Sequence, residues 1–178
     1  MFAPTDADFT NGVKLYTGEP INSRAATGHI LGEEACRALI LLDVKDTAVK
    51  NALDLATQGM LQRLRLSETE SEVVGRYCCG TCSAAYLGHV LVGGLDRNEA
   101  RLMAGMKFLR SSRTGKGRWR FFPFYYTLLV LSEMDKTIAK DEIKYAAPAL
   151  ERGLAKIAPA EKYAERRHIL SEHLLTRC

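Results

Sequence analysis

Three cysteines near the middle of the chain are the residues best suited to chemistry. Cys78 and Cys79 are adjacent, and Cys82 follows three residues after Cys79, at the predicted start of a helix. The dipole at a helix start lowers the pKa of a thiol, and a Cys-x-x-Cys pair can bind a metal or cycle between dithiol and disulfide. The cluster is therefore packed between helices, a redox or metal site, or the source of a nucleophile. We predict no cofactor, and zinc is the metal that this cluster could hold.

His89 is the histidine nearest to these cysteines in sequence, and we include it with them as a candidate metal or redox residue. It lies seven residues after Cys82, which is about 10 Å along a helix axis. One metal ion cannot contact both, so a four-donor site would need Cys36, Cys178 or a distant histidine. His89 could instead be a base for a cysteine elsewhere, or a core histidine with satisfied hydrogen bonds.

A segment from Arg110 to Tyr126 combines cations, glycines and rings. Six of the fourteen aromatic residues of the chain fall between Trp119 and Tyr126. Flexible backbone, cations and exposed rings could hold a phosphate or diphosphate beside an apolar tail, or stack on nucleotides. In the alternative interpretation the rings enter the core and the cations stay in water. The candidate ligand-binding residues are Arg113, Lys116, Arg118, Trp119, Phe122, Tyr125 and Tyr126.

Helices must position these residues, because apolar side chains recur with a helical period from Gly32 onward. Asp96 and Glu99 match a capping pair at the start of the fourth predicted helix. Pro123 begins the fifth, and Pro148 is expected to bend or divide the sixth. Residues 1–28 show no such period and are predicted to be an irregular arm, so the helical domain covers residues 29–178.

An internal repeat organises the predicted helices. Gly59, Gly105 and Gly153 recur at intervals of 46 and 48 residues, near the ends of the second, fourth and sixth helices. A period of this length is typical of helical-hairpin arrays, whose units bury their apolar faces on one another. A glycine inside a helix costs about 1 kcal/mol relative to alanine, so a close helix crossing is the expected use of each. We predict an all-α fold of about three stacked hairpins.

One of these repeats resembles a known family. The run from Ala104 to Arg110, followed by Gly115 and Gly117-Arg118-Trp119, resembles the repeat of the squalene-cyclase and protein-prenyltransferase superfamily, in which a helix ends in a polar loop closed by Gly-x-Trp. The resemblance implies an α/α-toroid-like array, of which three hairpins would form a partial ring. Prenyltransferases of this family hold zinc with an Asp, a Cys and a His, and no local match to those ligands is present. We therefore do not transfer the family's chemistry.

Composition restricts the class of protein. Hydrophobic content of 47% and charged content of 26% are ordinary for a globular domain, and the net charge of +4 is mild. The longest apolar stretch is far shorter than the roughly 20 residues that span a bilayer, so we expect no membrane span. Five cysteines and an N-terminus without secretory features favour the reducing cytoplasm.

Together these features predict a non-catalytic binding or interaction module. Its partner would be an apolar or anionic, isoprenoid-like small molecule, or a protein, and the apolar ends of an arc could be covered by a second copy in a homodimer. We do not expect nucleic acid as the partner. The alternative is an enzyme of isoprenoid or thiol-dependent chemistry that uses Cys78, Cys79 or Cys82.

Overall fold

The computed structural model describes residues 12–70, 75–158 and 160–178. It is 67% helical, with seven helices and one minor two-stranded sheet, so the predicted all-α class is confirmed. The helices are α1 (Arg24–Leu41), α2 (Thr47–Glu70), α3 (Gly80–Leu91), α4 (Asn98–Ser111), α5 (Phe124–Glu133), α6 (Lys136–Leu154) and α7 (Ala164–Leu175).

The helices pack as three consecutive hairpins. Helix α1 contacts α2, α3 contacts α4, and α5 contacts α6. The first helices of the hairpins also meet, since α3 lies against both α1 and α5, and α7 packs on α5 and α6. This pairing matches the predicted stack of about three hairpins. These contacts do not test whether the array curves as in a toroid, so that curvature stays a prediction.

Helix α3 is the centre of the core. Gly80 and every residue from Cys82 to Val90 are buried, because the helix is packed against α1, α4 and α5 at once. A helix that is apolar all round is the expected sequence for such a position. The residues at the N-terminus of α3 are therefore held on a helix that packs against three others.

The three repeated glycines do not share a common environment. A methyl group added at Gly105 would lie 2.5 Å from Leu87 Cδ2, which is the close α3–α4 approach that we expected. At Gly59 it would meet no atom within 4 Å, and at Gly153 it would meet the Tyr125 hydroxyl at 2.8 Å. The prediction of one packing role for all three was therefore wrong. The hairpins recur, but the atoms that surround the glycine differ from one hairpin to the next.

The N-terminal arm is shorter than predicted. Helix α1 begins at Arg24, so residues 24–28 belong to the helix; the Ser23 side chain caps it by accepting from the Ala26 N–H at 3.1 Å. Before it, β1 (Val13–Lys14) and β2 (Pro20–Ile21) form a short antiparallel pair. Residues 1–11 of the predicted arm lie outside the described residues. Sequence reasoning missed the helix start because apolar side chains show a helical period only from Gly32 onward, whereas the helix already begins at Arg24.

One predicted helix signal was wrong, and so was one of the two predicted effects of Pro148, the division of its helix. Asp96 does not cap α4: Arg97, with φ of 49°, occupies the cap position without a side-chain bond, and Asp96 instead accepts from Arg101 Nη2 at 2.8 Å. Pro148 does not divide α6, which is continuous from Lys136 to Leu154. A proline removes one helical hydrogen bond, and the burial of Ala149 and Leu150 next to it favours an unbroken helix.

Among the described helices, none has the length and apolar character needed to cross a bilayer.

Candidate functional site

The cysteine cluster lies where α3 begins. Cys79 is the N-cap residue, with extended backbone, and its Sγ accepts from the Cys82 N–H at 3.5 Å. Cys78 precedes the cap, and both it and Cys79 are half-buried, whereas Cys82 is fully buried in the first turn. The predicted position of the cluster at a helix start is confirmed. The start of a helix offers unpaired N–H groups and the positive end of its dipole to these sulfurs.

Helix α1 supplies a histidine that sequence reasoning missed. His29 Nδ1 lies 3.6 Å from Cys82 Sγ. The ligand atoms of His29, Cys78 and Cys82 all lie within 4.8 Å of one another. His29 is 49 residues before Cys78, and only the packing of α1 on α3 brings them together. No local sequence signal could have identified this partner.

The surroundings separate the two thiols of the Cys-x-x-Cys pair. A hydrogen bond from the Cys82 thiol, together with backbone N–H groups of Cys82 and Thr81, lowers the pKa of Cys79 to about 5, while burial acts in the opposite direction. The same side-chain hydrogen bond raises the pKa of Cys82, and burial raises it further. Burial lowers the pKa of His29, the charge of Arg63 lowers it further, and the interaction with Cys79 raises it. These shifts favour the thiolate form at Cys79 and the thiol form at the buried Cys82.

The aromatic segment touches this cluster through its turn. A methyl group added at Gly80, between the two cysteines of the pair, would lie 2.3 Å from the Phe121 carbonyl oxygen. Phe121 has a φ of 67° and its side chain is 82% exposed. Glycine at position 80 is therefore needed for the close approach of this turn.

Two other residues border the cluster on its opposite side. The ring centroid of Tyr77 lies 5.4 Å from that of His29, and Arg76 Nε donates to the Cys78 carbonyl at 2.8 Å.

His89 does not belong to the cluster. Its side chain is 0% exposed, and Nδ1 lies 2.7 Å from Glu33 Oε2 on α1. Burial raises the pKa of Glu33, and the hydrogen bond with His89 opposes that effect. The grouping of His89 with the three cysteines is corrected: His29, not His89, is the histidine beside them. His89 is a core histidine, as in the alternative interpretation, but only its Nδ1 is satisfied, by the buried Glu33 carboxylate; its buried Nε2 has no hydrogen-bond partner among the described residues.

The predicted ligand-binding rings are mostly in the core. Trp119, Phe122 and Tyr126 are 4%, 7% and 3% exposed. The Trp119 indole N–H donates to Glu142 Oε2 at 2.9 Å, and the Tyr126 hydroxyl donates to Glu34. These three rings therefore do not line an exposed face, and their placement matches the alternative in which the rings enter the core.

The predicted ligand-binding cations stay at the surface beside these rings. Arg113 donates to Glu142 and stacks on the Tyr145 ring, 4.4 Å from its centroid. The guanidinium carbon of Arg118 lies 4.2 Å from the centroid of the Phe124 ring, and Lys116 is exposed. Tyr125 is half-buried, and the Arg167 guanidinium lies over its ring. A shallow cavity of about 430 Å³ includes only Arg113 of these predicted residues. Its lining is Arg110, Arg113, Asp141, Lys144 and Tyr145.

Comparisons with known proteins give no family for this arrangement. No protein-family model, no curated protein and no solved structure matches the chain. The function must therefore be argued from the site itself.

Proposed function

We propose that this protein carries out thiol–disulfide exchange through Cys79 and Cys82. The Cys79 sulfur attacks one sulfur of a disulfide substrate, whose S–S bond breaks and releases the first thiolate. Cys82 then attacks Sγ of Cys79 in the mixed disulfide, which releases the second thiol and leaves a Cys79–Cys82 disulfide. Two electrons pass from the cysteine pair to the substrate.

The placement of the two sulfurs carries this proposal. Cys79 is half-buried at the N-cap and can be reached from solvent, whereas Cys82 is 0% exposed and is approached from neighbouring side chains such as Cys79 and Cys78. Residues three apart in the first turn of a helix have Cα atoms roughly 5 Å apart, which suits a disulfide. The order of attack follows from this difference in access.

His29 supports the second step. Its Nδ1 lies 3.6 Å from Cys82 Sγ, within the distance of a hydrogen bond to sulfur. In the mixed disulfide, the Cys82 thiol must lose its proton before it can attack. The imidazole of His29 is the nearest described base to that proton, so we assign it this role.

The experiment is a trapping assay with bis(2-hydroxyethyl) disulfide as the substrate. The reduced wild-type chain should lose two thiols as the Cys79–Cys82 disulfide forms. Cys82→Ser in a Cys78→Ser background should stop at a stable mixed disulfide on Cys79, because no neighbouring thiol then remains to resolve it. Cys79→Ser should react more slowly by at least about tenfold, since none of the remaining thiols occupies a helix N-cap.

Cys178→Ser is the matched control, because Cys178 is an exposed thiol 96 residues after Cys82 in the sequence. It should behave as the wild type does. A chain with both Cys78→Ser and Cys82→Ser whose mixed disulfide maps to Cys178, or to no cysteine at all, would refute the proposal.

A second candidate is the binding of an anionic small molecule at the cavity beside Arg113. Three cations, Arg110, Arg113 and Lys144, line this cavity together with the Tyr145 ring. Acidic partners already engage two of them, since Arg110 and Arg113 both contact Glu142. Titration with inorganic diphosphate tests this candidate: Lys144→Ala should weaken binding, and no measurable binding at millimolar diphosphate would exclude it.

A further inference from the structure

The distances among His29, Cys78 and Cys82 match those of a metal site. In a tetrahedral zinc site, with Zn–S of about 2.3 Å and Zn–N of about 2.0–2.1 Å, neighbouring sulfur and nitrogen ligands lie about 3.6 Å apart. The observed separation of Cys82 Sγ and His29 Nδ1 is 3.6 Å, and all three donor atoms lie within 4.8 Å. The side chains therefore need little rearrangement to converge on one ion.

The kind of donor selects the kind of metal. Two thiolates and one imidazole are soft or borderline ligands that suit Zn²⁺, whereas Mg²⁺ and Ca²⁺ take oxygen ligands. Two different helices are involved, because His29 comes from α1 and the cysteines from the start of α3. Such a site would join the two elements that pack most closely in the core.

We propose that His29, Cys78 and Cys82 of the reduced protein bind one Zn²⁺ ion. Three protein ligands leave the fourth tetrahedral position open, as in zinc sites that exchange a ligand. The Cys79 sulfur is not one of the three donors that lie within 4.8 Å of one another. It stays beside the ion as the reactive thiol.

Metal binding and disulfide formation then compete for Cys82. This part of the inference rests on the proposed thiol–disulfide exchange. A Cys79–Cys82 disulfide removes one of the three ligands, so oxidation by a disulfide substrate releases Zn²⁺ together with two thiol products. Bound Zn²⁺ conversely slows oxidation of the pair, because ligation holds the Cys82 sulfur away from Cys79. The site would couple zinc release to the redox state of the protein.

The experiment titrates Zn²⁺ into the reduced, chelator-treated full chain in competition with a chromophoric chelator. The wild type should bind one ion per chain. His29→Ala and Cys78→Ser should weaken binding by more than about 100-fold, because loss of even an outer partner of a ligand costs roughly 10–100-fold. His168→Ala and Cys178→Ser are matched controls that change an exposed histidine and an exposed cysteine. Far-UV circular dichroism of each variant verifies that the helices are retained, and His29→Gln replaces His29→Ala if the latter unfolds.

Cys79→Ser separates this inference from the proposed function. It should keep stoichiometric zinc while it loses disulfide exchange. If zinc binds as expected but no chain exchanges disulfides, the proposed function fails and the zinc site stands. If the wild type binds no stoichiometric zinc, if His29→Ala and Cys78→Ser bind as tightly as the wild type, or if Cys79→Ser loses the ion, the three-ligand site is overturned.

Discussion

Glu142 on α6 is a carboxylate with 0% exposure that holds the aromatic segment against the core. Its Oε2 accepts from the Trp119 indole N–H at 2.9 Å and from Arg113 Nε at 3.0 Å. Its Oε1 accepts from Arg113 Nη2 at 2.9 Å and from Arg110 Nε at 3.2 Å. Glu142→Gln keeps the shape of the side chain and removes its charge. Whichever way the amide is turned, its NH₂ group faces two donors.

The magnitude follows from these contacts. Hydrogen bonds to a charged group contribute about 1.5–3 kcal/mol each, against about 0.5–1.5 kcal/mol for neutral ones, and a buried donor without a partner costs about 1–3 kcal/mol more. Arg110 is 57% exposed and can turn to water, so its share is small. The remaining losses at Trp119 and Arg113 amount to about 3–5 kcal/mol, the usual cost of removing one partner of a buried ion pair. That is a large part of the 5–15 kcal/mol typical of a domain.

Urea unfolding measures this loss directly. Trp119 is the single tryptophan of the chain, so its fluorescence reports on the segment itself, and far-UV circular dichroism reports on the helices. Asp141→Asn is the matched control, because Asp141 is 67% exposed and pairs with Arg110 at the surface. This substitution should change the free energy of unfolding by about 1 kcal/mol at most. If Glu142→Gln costs no more than Asp141→Asn, the buried carboxylate does not hold the segment and the reasoning is refuted.

Two further predictions concern local packing. Gly59→Ala should stabilise the chain by about 0.5–1 kcal/mol, because a methyl group there meets no neighbouring atom. Gly105→Ala should destabilise it by about 1–3 kcal/mol, because the methyl group overlaps Leu87. Thermal melts of the two variants should shift in opposite directions, and a shift in the same direction would contradict this prediction. Glu19 accepts from the Tyr125 N–H at 2.6 Å and so caps α5. Glu19→Ala should therefore cost about 0.5–2 kcal/mol in urea unfolding, and an unchanged midpoint would show that water replaces the cap.

The helices could be predicted from sequence because their signals are local. Apolar residues at helical spacing identified every hairpin, and the Cys-x-x-Cys pair was correctly placed at the start of α3. Helix ends were less predictable. Asp96 and Glu99 have the spacing of a capping pair, but the Arg101 guanidinium binds Asp96 instead. A side chain with several possible partners takes the one that tertiary packing brings near.

The repeated glycines show the same limit. Their spacing correctly indicated recurring hairpins, yet Gly59 faces open space while Gly105 lies against Leu87. Spacing determines which position along a helix a residue occupies, not which neighbour covers it. The rings of Trp119 and Tyr126 show this limit as well. Their residue types are compatible with a ligand face or with a core, and in the structure both rings are buried and donate to carboxylates, Glu142 on α6 and Glu34 on α1.

By itself, the sequence determined the helical class, the hairpin pairing of neighbouring helices and the position of three thiols at one helix terminus. The helical class and the position of the thiols depend on residues within about one or two turns of each other, where covalent connection sets the geometry. The hairpin pairing depends on the connections between consecutive helices. Only the tertiary structure could decide that His29, and not His89, lies beside Cys82. Contacts between distant segments are chosen by packing of whole helices, and the packing of α1 on α3 is what places an imidazole 3.6 Å from a buried sulfur.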